Sequence, residues 1–598
     1  MSELLHPRDL QFLLYELLDV EALTARPRFA EQSREIYDAV LETARAVAEE
    51  HYFPNRKRND QEEPQIVDGV VVTQSDLKPA YAATAEAGII ASTHDAERGG
   101  LQLPHTIAGA AIAWLEAANI GSASYPMLTA GASNLIAAFG SEAQKAKWLP
   151  PMLDGRFGGT MALTEPDAGS ALADLRTTAY PNPDGTYRIE GTKIWISAGE
   201  HQLTENIVHL VLARIAGAPA GTKGISLFIV PKRRYADDGV LGASNEIVLG
   251  GLIHKMGWRG TTSTLLNFGE RGHCLGELVG EPHHGLAYMF HMMNEARIGV
   301  GRAATAMSYA AYRYALEYTR TRKQGRLPAE KDPTKPPVAI IEHADIRRML
   351  LIAKCAAEGS LALVLACARL VDDEQTAATE AERAEAHLLL EFLTPIAKSW
   401  PSIYGQEGIS NALQCMGGYG YAREYDIEQL YRDNRLNQIH EGTNGIQALD
   451  LLGRKVMQQQ GAAVGAFMRR IEAAVAEATA AGLADLAQSL GEAAAQMVTV
   501  TKSLGREMQA DPTRGLANAS VYMELVSRVV FAWLWTRQAT VGTRALAHGA
   551  SGDERAFYEG KVAAARFYAR FELPKNGPDA ALLLRNDPAA LEFKDAWF

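Results

Sequence analysis

The run "YRIEGTKIWISAG", residues 187–199, decides how the chain is read. Aromatic and β-branched residues are dense in it, and polar residues alternate with them, which is the pattern of a strand. Runs of the same kind lie around it: "GGTMALTE" (158–165), "IVHLVLARI" (207–215), "GISLFIVP" (224–231) and "STLLNFGE" (263–270). Between them stand "PNPDG" (181–185), "APAGTKG" (218–224) and "DDGVLGAS" (237–244), which are turn chemistry. Residues 158–280 therefore read as a β domain of six to eight strands.

Outward from this block the period changes. Residues 10–52 carry apolar side chains at three- and four-residue spacing, and "SDLKPAYAATAEAGIIAS" (75–92) and "HTIAGAAIAWLEAANI" (105–120) continue the helical pattern. It returns after about residue 282. Helical, then β, then helical is the order expected of an α+β chain with two helical blocks around a central antiparallel sheet, not of a doubly wound sheet. "RLPAEKDPTKPPVAIIE" (326–342) reads as a surface loop, and the Ala-rich, amphipathic 460–598 as an appended helical bundle. The expected segments are a 1–35 N-terminal extension, a 36–157 α domain, a 158–280 β domain, a 281–458 helical domain and a 459–598 appended domain.

The 598 residues carry a net charge of −12, which disfavours a generic nucleic-acid binder. Cys274, Cys355, Cys367 and Cys415 form no CxxC pair, so neither a disulfide framework nor a metal site is expected, and a reducing cytoplasm fits. Charges scattered through "MSELLHPRDLQFLLYELLDV" speak against a signal peptide, and no apolar run was expected to reach the roughly 20 residues of a membrane span.

Five stretches could carry chemistry. "ALTEPDAGS" (162–170) ends a strand in small residues whose backbone could approach a flat polar ligand, or is a surface turn. "GTKIWISAG" places Trp195 and Ser197 on one strand face, where they could wall a ring system, although a strand tryptophan is more often core. "QCMGGYGY" (414–421) sets a glycine pair after a helix, a phosphate approach or a simple helix stop. "YTRTRKQGRL" (318–327) could face a diphosphate or be a solvated helix end. "RLNQIHEGTNGIQALDLLG" (435–453) puts Glu441 in a polar break between two helical segments, where it could serve as a base or simply face a helix dipole.

Taken in order, "ERGGLQLP" (97–104), "GSEAQKAKWLPPMLDG" (140–155), "ALTEPDAGS", "GTKIWISAG" and "RLNQIHEGTNGIQ" resemble the acyl-CoA dehydrogenase family of flavoenzymes, from about residue 40 to 457. "LHPRDLQFLLYELLDV" (5–20) and the C-terminal extension resemble its enlarged bacterial subgroup, which contains 3-methylmercaptopropionyl-CoA dehydrogenases and some long-chain fatty acyl-CoA dehydrogenases. The resemblance implies an N-terminal helical domain, a middle β domain, a C-terminal four-helix domain, and FAD as cofactor.

It also implies roles. Glu441 matches the catalytic base, which burial should push toward the working pH, and its backbone N–H matches a donor to the thioester oxygen. Met161, Leu163, Thr164 and Ser170 match the segment lining the flavin, with Ser170 also toward CoA. Trp195 and Ser197 match the strand covering the ring, and Arg322 and Gln324 a stretch reaching the diphosphate of a neighbouring subunit. Gln414, Gly417 and Gly418 match the dinucleotide-receiving glycines, and Gly442 and Thr443 the pocket beside the base. Arg297 matches a CoA-side arginine, with Asn294 where an acid is common. The chain departs from the family at Ala171, at Gly445 and in "RKQGR", which lacks a phenylalanine before its glycine.

The expected reaction is dehydrogenation of an acyl-CoA to its trans-2-enoyl-CoA, with electrons passed to an electron-transfer flavoprotein, by a homodimer whose appended helices cover a second dimer's docking face. An acyl-CoA oxidase, a flavin-bearing DNA-associated homologue and a degenerate structural homologue are the rival readings, and acyl chain length stays open.

Overall fold

A computed structural model describes residues 4–236 and 238–598, with the backbone alone for 290–294. The chain divides into two compact units, 31–296 and 1–30 together with 297–598.

In the 31–296 unit, helix α1 (Arg34–Val47) is capped by Ser33, whose hydroxyl accepts from the Ile36 N–H at 3.3 Å. Helices α2 (Leu77–Glu86), α3 (His105–Phe139) and α4 (Glu142–Leu153) follow. α3 is two helices in line, broken at Asn119 (φ −164°, ψ 93°), and nearly all of its first turns are buried, because small and apolar residues occupy every face. A hairpin absent from the sequence reading, β1 (Gln65–Val67) and β2 (Val70–Val72), closes through Asp68 and Gly69 at φ 50° and 78°. Asp-Gly between valine-rich runs is the signal that would have found it.

The β domain comprises β3 (Phe157–Ala162), β4 (Thr178–Pro181), β5 (Tyr187–Ser197), β6 (Asn206–Ile215), β7 (Ile225–Pro231), β8 (Arg233–Tyr235), β9 (Leu241–Ser244), β10 (Ile247–Leu252), β11 (Ser263–Phe268) and β12 (Leu275–Val279). Eight of these make one sheet in the order β10-β11-β5-β12-β7-β6-β3, with β4 against β5 and β6. The expected antiparallel sheet needs one correction: β3 and β4 both pair parallel to β6. β6 and β7 are buried almost throughout and read as apolar runs rather than alternations, as strands covered on both faces do.

The other unit holds α5 (Gly285–Thr321, whose residues from 297 belong here), α6 (Ala344–Thr376), α7 (Glu380–Met416), α8 (Ile427–Leu436) and α9 (Asn444–Asp450). Its appended helices are α10 (Ala462–Ala480), α11 (Ala484–Ala510), α12 (Ala519–Ala547), α13 (Gly552–Phe567) and α14 (Asn576–Arg585). Contrary to the sequence expectation, α6 has the length and apolarity of a membrane span, and 89% of that window is buried inside the protein. It is a core helix packed along α7. The N-terminal extension docks on the appended helices: Arg8 forms an ion pair with Glu554 at 2.8 Å, and buried Asp9 pairs with Lys561 of α13. All four cysteines are buried and free.

Candidate active site

In the 31–296 unit, the stretch after β3 and the middle of β5 are tied together by one buried ion pair. Lys193, wholly buried, donates to the Leu163 carbonyl and to Glu165, both at 2.9 Å. The Glu165 carboxylate also accepts from the Arg176 and Thr177 N–H groups (2.6 and 3.0 Å) and from the Thr177 hydroxyl (2.5 Å). The Ile194 N–H donates to the Thr164 carbonyl at 2.9 Å. Burial pushes Glu165 up, but Lys193 and these donors outweigh it and hold the carboxyl below its ordinary value, while burial pulls Lys193 down to about 8. The segment bearing Met161, Leu163, Thr164 and exposed Ser170 is thus pinned from beneath.

β5 carries a bulge against β11: the pairing jumps from Ser197↔Ser263 and Ile196↔Thr264 to Lys193↔Leu266. Ile194 and Trp195 therefore face one residue, and the alternation changes hand. Ile189 and Lys193 are buried before the bulge, Ile196 and Ala198 after it. Trp195 adopts φ 62° and is 56% exposed, so its indole stands on the outward face with half-buried Ser197. A tryptophan in a left-handed conformation is a strained position held by its surroundings, and such positions gather at ligand sites. This answers the alternative of a core tryptophan.

In the other unit, α7 stops at Gly417 (φ 59°, ψ −137°), a conformation essentially restricted to glycine. A Cβ at Gly417 or Gly418 would meet nothing within 4 Å, so the exposed backbone of Gly417 and Gly418, beside exposed Gln414, is open to close approach. Arg322, just past the end of α5, lies 5.7 Å over the Tyr419 ring, and its guanidinium reaches Gln324 at 3.5 Å. The structure therefore brings the arginine stretch and the glycine pair together. An open glycine backbone, an exposed arginine and an exposed tyrosine face suit a diphosphate and its attached ring.

Glu441 sits in the turn between α8 and α9 at φ 53°. Gly442 follows at φ 83°, where a Cβ would lie 2.7 Å from the Gln447 amide nitrogen; that amide donates to the Glu441 carbonyl at 3.0 Å. Thr443 caps α9, accepting from the Ile446 N–H at 3.4 Å. The dipole alternative for Glu441 loses ground here, because the cap is Thr443 and Glu441 stands before it.

The Glu441 side chain has no hydrogen-bond or ion-pair partner among the described residues. Burial pushes its carboxyl above the ordinary value, with Arg297 and Lys398 pulling it back. Wholly buried Lys398 of α7 donates to the Asn444 amide oxygen at 3.0 Å, and burial draws it down to about 7, with Glu441 opposing and Arg297 assisting. His440 is drawn by burial to about 3 and is neutral at ordinary pH.

Arg297 is 3% exposed and ion-paired with Asp450 of α9 at 2.9 Å. Asn294 lies outside the residues whose side chains are described. Sequence reasoning passed over Glu165, Lys193, Lys398 and Asp450. The signal for the lysines was present: each is a lone cation among apolar neighbours, in "GTKIWISAG" and "LTPIAKSWP" (393–401), and an interior lysine needs a partner.

Comparison with known proteins identifies the family. The acyl-CoA dehydrogenase N-terminal, middle and C-terminal domain families match residues 34–156, 160–269 and 283–457, and an acetyl-CoA dehydrogenase C-terminal-like family matches 467–594. The 3-methylmercaptopropionyl-CoA dehydrogenase of Ruegeria pomeroyi is 37% identical over 94% of this chain and 95% of its own. The broad-specificity linear acyl-CoA dehydrogenase FadE5 of Mycobacterium tuberculosis is 34% identical over 99% of both chains. The crystal structure of Caenorhabditis elegans ACDH-11 in complex with C11-CoA shares the fold, with a TM-score of 0.69 at 18% identity over 94% of this chain and 90% of that one. With near full-length identity of this order and every domain matched in sequence order, the chain belongs to the acyl-CoA dehydrogenase family and is an FAD-dependent acyl-CoA dehydrogenase.

Proposed function

We propose that the protein oxidises a saturated acyl-CoA thioester to its trans-2-enoyl-CoA, with Glu441 removing the α-proton. One observation carries the assignment: Glu441 is a carboxylate with no partner among the described residues, held on a strained turn and pushed by burial above its ordinary value. A carboxylate in water is too weak a base for a C–H acid, and burial is the standard means of strengthening it. The Glu441 N–H, in the same turn, would donate to the thioester oxygen as enolate-like charge develops, a contribution of typically about 3 kcal/mol.

FAD, when bound, supplies the acceptor for the β-hydrogen as hydride. Thr164, Ser170, Trp195 and Ser197 would hold its ring end, and Arg322, Gln324, Gln414, Gly417 and Gly418 the dinucleotide end of a neighbouring subunit's FAD. Gly442 lets the turn close over Gln447 without a clash. The acyl group would be a medium- to long-chain fatty acyl or a 3-methylthiopropanoyl group; the relatives' names give 3-methylmercaptopropionyl-CoA and linear acyl-CoAs. An electron-transfer flavoprotein would take the electrons, and the assembly would be a cytoplasmic homodimer.

The test is anaerobic mixing of flavin-loaded protein with a panel of acyl-CoAs, from short chains to C16 and including 3-methylthiopropanoyl-CoA. Wild type should lose its oxidised-flavin absorbance with part of the panel. Glu441→Gln should slow that loss at least about a thousandfold. A flavin-loaded wild type that no acyl-CoA bleaches would refute the assignment.

A further inference from the structure

We infer that Lys398 is a positioning residue for the Glu441 base, anchoring through Asn444 the turn that carries it. The inference rests on the reading of Glu441 as base.

Three other lysines of the protein show what a wholly structural buried lysine looks like. Lys193 pairs with Glu165, Lys455 with Glu391, and Lys561 with Asp9 and Glu358. Lys398 is as buried as these, yet its one hydrogen-bond partner among the described residues is the neutral amide of Asn444, at 3.0 Å. Its charge is not cancelled by an adjacent carboxylate, so its field reaches further.

The anchoring is specific to the turn. Asn444 lies three residues beyond Glu441, and its Nδ2 donates to the Ser402 hydroxyl of α7 at 3.3 Å. Its backbone N–H donates to the Gln438 carbonyl at 3.1 Å, and the Gln438 side chain donates to the Ser402 carbonyl at 2.9 Å. Residues on both sides of Glu441 are thus strapped to one turn of α7, with Lys398 at one end. A base held in this way keeps its approach to the α-carbon, where small displacements cost large factors in rate.

The charged groups around the pair can be named. Arg297 of α5 and Lys398 of α7 are the cations that act on Glu441. Arg297 is ion-paired with Asp450 of α9, which Arg454 also meets at 2.7 Å. His440, in the turn itself, is neutral at ordinary pH. Both cations oppose the burial that raises the Glu441 carboxyl, Arg297 more than Lys398, and of the two Lys398 is the one without a carboxylate partner among the described residues.

The experiment follows the rate of anaerobic flavin bleaching by the panel member that reduces wild type fastest, across the acid and neutral pH range, in flavin-loaded Lys398→Met, Lys398→Gln and Lys398→Arg. The methionine and glutamine variants should carry the acid limb of the profile upward by about one pH unit or more, since an opposite charge close to a carboxylate depresses it by that much. Lys398→Arg should restore the limb toward wild type, because it keeps the charge. A wild-type limb in the neutral variants, or failure of all three to fold and hold flavin, would overturn the inference and leave Lys398 a folding residue. A wild type that no acyl-CoA bleaches would instead defeat the assignment of Glu441, and the two failures are distinguishable.

Discussion

Lys561 and Lys398 are buried lysines of the same unit, and their surroundings differ in kind. Lys561 of α13 is met by Asp9, by Glu358 at 2.8 Å and by Gln538 at 3.0 Å, while the Tyr309 hydroxyl donates to Asp9 at 2.8 Å and Lys354 pairs with Glu358. Burial pushes Glu358 up, yet Lys354 and Lys561 together hold it well below the ordinary carboxylate range. That cluster joins the first residues of the chain to α6, α12 and α13. Lys398 has an amide and, within reach of its field, a carboxylate with no partner of its own. A fully paired buried charge costs desolvation and returns geometry, so it specifies structure. An incompletely paired one keeps a carboxylate poised between two protonation states, which serves chemistry.

The sharpest way to break this contrast is Lys561→Met. It strands Asp9 and Glu358 in the core without their shared cation, and removing one partner of a buried pair costs about 3–5 kcal/mol. Guanidinium unfolding should show that loss, with the N-terminal extension released early to limited proteolysis. The bleaching rate per bound flavin should stay near wild type. A variant of wild-type stability, or one that is stable but slow in flavin reduction, would erase the distinction between the two lysines.

Lys193→Met probes an intermediate case in the other unit, a paired lysine beneath a candidate cofactor segment. It leaves Glu165 buried with backbone and hydroxyl donors only, and frees the Leu163 carbonyl from its side-chain donor. An unsatisfied buried partner costs about 1–3 kcal/mol, and 1.4 kcal/mol is tenfold in affinity, so FAD binding should weaken about tenfold or more. Fluorescence titration of the apoprotein with FAD measures this. Unchanged FAD affinity with lowered melting temperature would move Lys193 into the class of Lys561.

These residues also mark how far the sequence can be read. Domain order, the β block and the Glu441 turn are legible because strand alternation, helical period and turn residues act locally. The bulge at Trp195 is not, because it is a register shift between β5 and β11, 70 residues apart in the chain, and nothing inside "GTKIWISAG" announces it. The parallel pairing of β3 with β6 is hidden for the same reason. The ion pair of Arg297 with Asp450 is hidden too, because its partners lie 153 residues apart. The apolar α6 was underrated because its window tolerates charges that the fold buries or pairs. What stays hidden is pairing across long separations, and pairing decides whether a buried charge is structural or chemical.

The smallest expected effect concerns a buried group that avoids the choice by staying neutral. His209 of β6 shares a hydrogen bond with the Thr160 hydroxyl at 2.7 Å, and its Nε2 has no partner among the described residues. Burial, with Lys232 adding to it, draws it to about 3, and His201 is drawn to about 3 as well, by burial, Lys232 and His209. In the unfolded chain both titrate near 6.5. Between these values the unfolded state binds more protons than the folded one, so stability rises with pH through this window and is lost as pH falls below about 6.5. Each histidine contributes at most about 1.4 kcal/mol per pH unit. His209→Gln removes one such proton-uptake site, so its melting temperature should fall less than that of wild type on moving from pH 7 to pH 5. An equal fall in the two proteins would mean that His209 is already protonated in the fold, which the low-dielectric core between β3 and β6 forbids unless a carboxylate reaches it.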